Sequence, residues 1–105
     1  FCNVVDVVGA LAALAECGDA VGEVINVGSD EMVSIEELAD RILQMTGSKS
    51  GKCHVEYEQV YGRAFDDLMV RMPNLEKVKR LIGFQPKYTL EQTLQQVIDY
   101  EKTRI

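Results

Sequence analysis

The chain has 105 residues, one domain or part of one, and its 47% apolar and 27% charged content is ordinary for a globular protein. Its formal net charge of -6 excludes a nucleic-acid surface, which needs clustered Lys and Arg, but not a small phosphate-bearing ligand held by one or two local cations. No apolar run reaches the roughly 18–20 residues of a membrane span and no signal peptide is visible, so no membrane partner and a cytoplasmic location are expected.

Residues 1–5 are short, apolar and β-prone and read as the tail of a strand. A chain that begins at Phe1 inside a strand, without Met, is expected to be a fragment. Asp6 is placed to cap a helix on which Val7, Val8, Leu11, Leu14 and Ala15 recur at helical spacing, ending near Cys17 and Gly18. Ala10, Ala12, Ala13 and Ala15 give that helix a small-residue surface that admits a close neighbour. The run 21–28, VGEVINVG, is apolar and bounded by glycines, which predicts a buried strand.

Ser34 and Glu37 have the spacing of a capping box and open a helix over 35–46, with Ile35, Leu38, Ile42 and Met45 on one face and Gly47 closing it. After a polar linker, the alternation at 54–57 predicts a short strand. The stretch 61–86 begins as a polar loop through Arg71. Pro73 then pushes the residue before it toward extended geometry. Asn74 can cap a helix over 75–82 that buries Leu75, Val78 and either Leu81 or Ile82. Gly83 and Pro86 stop it, and Thr89 with Gln92 forms a second capping box for a last helix. That helix reaches about residue 102, with Leu90, Leu94, Val97 and Ile98 on its apolar face.

Few side chains suggest chemistry on their own. Arg71, three residues before Asn74, could meet an anion at a helix entrance, where backbone N–H groups point outward. Asp66 and Asp67 are simplest as a solvated loop, since no His or third carboxylate accompanies them. Lys77, Lys79 and Arg80 are simplest as a solvated helix face, and His54 as a surface residue. Gly28 and Ser29 turn the chain and could pass close to a nucleotide. Cys2, Cys17 and Cys53 form no CxxC pair, so neither a disulfide framework nor a metal site is expected.

Taken together, these segments resemble the closing part of the extended short-chain dehydrogenases/reductases, the NAD-dependent nucleotide-sugar epimerases and dehydratases. FCNVVDVVGAL resembles their F-x-Y-V-x-D-x-x-x-A-x entry, and GEVINVGSDEMVSIEELADRI their G-x-x-F/Y-N-I-G-S…S-I-x-E-L-A segment. YGRAFDD, RMPNLEKVKRLIGFQP and TLEQTLQQVIDY resemble their Y-G-x-x-F-E-D, R-R-x-P-D-x-x-K-x-x-x-L-G-W-x-P and L-E-x-G-L-x-x-x-I segments. The likeness runs in order along nearly the whole chain, with the UDP-glucose 4-epimerase-like branch nearest.

The resemblance implies an α/β fold. It would be the C-terminal part of an extended Rossmann-type epimerase, with about four helices and three short strands, lacking the NAD-binding half. Residues 1–105 would be a single nucleotide-sugar-binding region. It implies Arg71 on the diphosphate, Asn74 at the ribose, where the family has Asp, and Phe1 near the nucleotide. Two departures stand out: Met72 replaces the second arginine of R-R-x-P-D, and Asn3 replaces the second aromatic of F-x-Y-V. The family's glycine-rich turn and its Y-x-x-x-K pair are absent, since Tyr57, Tyr61, Tyr88 and Tyr100 have no lysine four residues on. The chain is therefore expected to bind a nucleotide sugar without catalysing alone, and to hold no cofactor or metal of its own. NAD and an N-terminal Rossmann portion would belong to the full-length parent. The alternative is a non-catalytic interaction module that self-associates through exposed apolar surface.

Overall fold

The computed structural model describes residues 1–62 and 70–105. Among them the chain forms five α-helices, α1 (Val4–Ala15), α2 (Ile35–Thr46), α3 (Tyr57–Tyr61), α4 (Glu76–Ile82) and α5 (Leu90–Arg104), and a 3-10 turn at Gly18–Ala20. No strand occurs among the described residues, which overturns the expected α/β fold and its three strands. Residues 1–3 lead directly into α1, the run 21–28 is irregular, and Tyr57 opens α3. The physical reason lies in pairing. A strand is stabilised by a ladder to a neighbour about 4.8 Å away, and apolar character alone does not supply one. In the run 21–28, Val21 and Val24 are left more than four-fifths exposed.

The chain divides into two units, Phe1–Met32 with Met72–Ile105, and Val33–Arg71. In the first, Ala10, Leu75, Val78 and Phe84 form the buried core, with Leu14, Ile25, Val27 and Ile82 packed against it. The face that α1 buries is only partly the expected one. Asn3, Asp6 and Ala10 are buried, with Val7 and Leu14 half-buried, whereas Val4, Val8 and Leu11 are exposed. Positions 3, 6, 7, 10 and 14 share a helical face, so the period was legible but its phase was not. The phase is set by two polar residues that find partners inside.

Asn3, not Asp6, caps α1: its Oδ1 accepts from Val5 N at 2.9 Å. Its amide then donates to Thr93 Oγ1 at 3.1 Å and Gln96 Oε1 at 2.8 Å on α5. The Asp6 carboxylate accepts from Lys87 N at 3.0 Å and Tyr88 N at 3.2 Å, which fixes the turn leading into α5. That helix starts as expected. Thr89 Oγ1 accepts from Gln92 N at 3.2 Å, and Gln92 Oε1 accepts from Thr89 N at 2.9 Å. Leu90, Leu94 and Ile98 are buried along α5, while Val97, expected on the same face, is half exposed. Thr89→Ala removes the forward half of the cap and is expected to cost about 1 kcal/mol in urea unfolding. An unchanged midpoint would mean that Glu31, whose Oε2 accepts from Leu90 N at 2.9 Å, caps the helix sufficiently by itself.

The second unit has no buried side chain among its described residues. Ser34 caps α2 as expected, its Oγ accepting from Glu37 N at 3.0 Å. The glutamate does not complete a box; Glu37 Oε1 accepts from Arg41 Nη2 at 2.6 Å one turn on. Gly47 ends the helix with φ 64°, a left-handed conformation that other residues adopt only at a cost, and Ser48 N reaches back to Leu43 O at 3.2 Å. Lys52 bridges Asp40 at 2.7 Å and Glu36 at 3.3 Å, and the hydrogen bond to Asp40 holds its ammonium above the usual lysine value. Where a strand was expected, Tyr57 and Tyr61 stack across α3 with ring centres 6.1 Å apart.

Candidate functional site

The turn that enters α4 carries Asn74, one of the residues singled out for ligand binding. Pro73 is half-buried against Gly28, where an added Cβ would lie 3.2 Å from Pro73 Cγ. This close approach, and not left-handed geometry, is what glycine allows at position 28. The glycine turn and the Pro73–Asn74 turn therefore lie side by side within one unit.

Asn74 is exposed and its Oδ1 accepts from Glu76 N at 3.0 Å. This bond braces the turn just ahead of α4; the N-cap position itself falls on Leu75, not on Asn74 as expected, and carries no side-chain cap. Phe1 lies in the same unit as Asn74 and is 62% exposed. Asn74 reaches its own turn, not Phe1. Arg71 is exposed and is the last residue of the other unit, Val33–Arg71. The YGRAFDD motif runs into residues 63–69, so Asp66 and Asp67 lie outside the described residues.

The basic face of α4 is engaged by acids of its own chain. Lys77 pairs with Glu23 and donates to Val24 O at 3.1 Å, and Lys79 lies 3.8 Å from Asp30. The hydrogen bond from Lys77, reinforced by its charge, holds the Glu23 carboxyl below the usual carboxylate range. These lysines pin the irregular run 23–30 to α4, which agrees with a structural face better than with a phosphate site. His54 is exposed, 3.8 Å from Glu36. Among the described residues no group of three or more His, Cys, Asp or Glu could hold a metal ion, and no helix is long and apolar enough to cross a membrane.

Three contributors escaped the sequence reading. Asp6 and Asn3 were assigned by local context, as a cap and as a departure from an aromatic, and both are long-range polar ties. Glu31 carries no helix or strand signal of its own. It caps α5, and with Ser29, Asp30 and 86–89 it lines a shallow hollow beside the glycine turn. The only local signal was the placement of Ser29 before Glu31, whose N–H donates to Ser29 Oγ at 3.1 Å.

The cysteines are free, with Cys2 and Cys17 half-buried and Cys53 exposed. Burial, and after it the charge of Asp6, pushes the Cys2 thiol above its ordinary pKa. Since the thiolate is the reactive form, iodoacetamide is expected to alkylate Cys53 well before Cys2 in a peptide-mapped time course. Equal rates would show that the α1 entrance is not packed as described.

No family model matches the sequence. Curated proteins do match it, among them a UDP-N-acetyl-alpha-D-glucosaminuronate decarboxylase of Bacillus cytotoxicus, 39% identical over 79 residues. The match covers 75% of this chain and 25% of that protein, so the chain spans about a quarter of the relative's length. This match agrees with the segments that resemble nucleotide-sugar enzymes: the chain is related, over three quarters of its length, to a nucleotide-sugar decarboxylase.

Proposed function

We propose that this chain is the nucleotide-sugar-binding portion of a longer NAD-dependent enzyme of the epimerase/dehydratase family, and that it is not catalytic alone. The observation that carries the reading is the 39% identity to a decarboxylase named for a UDP-sugar substrate. The ordered motifs around Arg71 and Asn74 support it. On this reading the Arg71 guanidinium presents two parallel N–H donors to the diphosphate. Asn74 uses its exposed amide for the ribose while its Oδ1 keeps the bond from Glu76 N. Phe1 covers the nucleotide with an exposed ring. The residues of this chain do not fit NAD itself. Its eight glycines form no G-x-G-x-x-G turn, and the one buried glycine, Gly28, packs against Pro73. NAD and the proton-transfer residues would come from the rest of the longer protein. Whether the sugar is epimerised, decarboxylated or dehydrated would be decided there too.

Titration of UDP by calorimetry tests this. Binding is expected, and Arg71→Ala should weaken it about tenfold or more, the equivalent of one charge-assisted contact. Arg71→Lys should fall between, because an ammonium offers a point charge in place of a planar fork. UDP affinity that ignores Arg71→Ala would overturn the assignment. A second reading, a non-catalytic self-associating module, is favoured by the exposed Val4, Val8 and Leu11 on α1. Sedimentation of the same samples separates the two: a stable dimer indifferent to UDP supports the module, and a monomer that binds UDP supports the enzyme part.

A further inference from the structure

We draw no further inference here: the strongest candidate, the exposed apolar stripe of Val4, Val8 and Leu11 along α1, carries none because nothing in the structure shows what covers it.

Discussion

Asp6→Ala is expected to cost about 3 kcal/mol of folding stability, two backbone hydrogen bonds to a charged acceptor. The carboxylate is 6% exposed and holds Lys87 N at 3.0 Å and Tyr88 N at 3.2 Å. Alanine would leave those N–H groups to whatever water can enter. A loss of that size would lower the melting temperature by about 15 °C in a domain this small. Asp6→Asn should fall between, since an amide offers one acceptor oxygen and turns its NH2 toward the second donor. Paired urea and thermal unfolding curves for the three proteins give the order. If Asp6→Ala costs less than about 1 kcal/mol, water replaces the carboxylate and the turn into α5 is held by its own cap instead.

The same residue shows which parts of this fold could be read from sequence. Signals confined to a few neighbouring residues were legible: Ser34 before α2, Gly47 after it, and Thr89 with Gln92 before α5 sit where their spacing placed them. Asn74 braces the turn before α4 by an equally local bond, although the N-cap position falls one residue later, on Leu75. What failed depends on distant partners. Asp6 looked like a cap because capping is the commonest local use of an aspartate there; its actual partners lie 81 and 82 residues away. The run 21–28 looked like a strand because it is apolar, yet a strand is a property of a pair of segments. Here its carbonyl at Val24 is taken by Lys77 Nζ instead.

The candidate site divides along the same line. Asn74 and Gly28 could each be placed on a turn, and the approach of Gly28 to Pro73 gives that glycine a reason. For Arg71 the spacing to Asn74 gave only a general hint of an anion, and the ligand roles proposed for Arg71 and Phe1 rest on resemblance, since both side chains are simply exposed. Lys77 and Lys79, expected on a solvated helix face, lie beside Glu23 and Asp30, partners that no local spacing announced.

Leu75→Ala and Leu11→Ala, two identical changes, are expected to differ by about 2 kcal/mol or more. By periodicity both leucines rank as core. In the fold Leu75 is 4% exposed and packs with Ala10, Val78 and Phe84, whereas Leu11 is 58% exposed on the outer side of α1. Truncating Leu75 removes buried methyl groups and leaves a cavity between α1 and α4, at a cost of about 3 kcal/mol. Truncating Leu11 removes surface that already meets water, and the better helix propensity of alanine offsets part of that loss, so the change should stay within about 0.5 kcal/mol. Urea unfolding at two protein concentrations decides the matter. Equal losses that do not vary with concentration would mean that the core lies on the face the periodicity indicated. A Leu11→Ala loss that grows with concentration would mean that the outer stripe of α1 is covered in solution by a second copy.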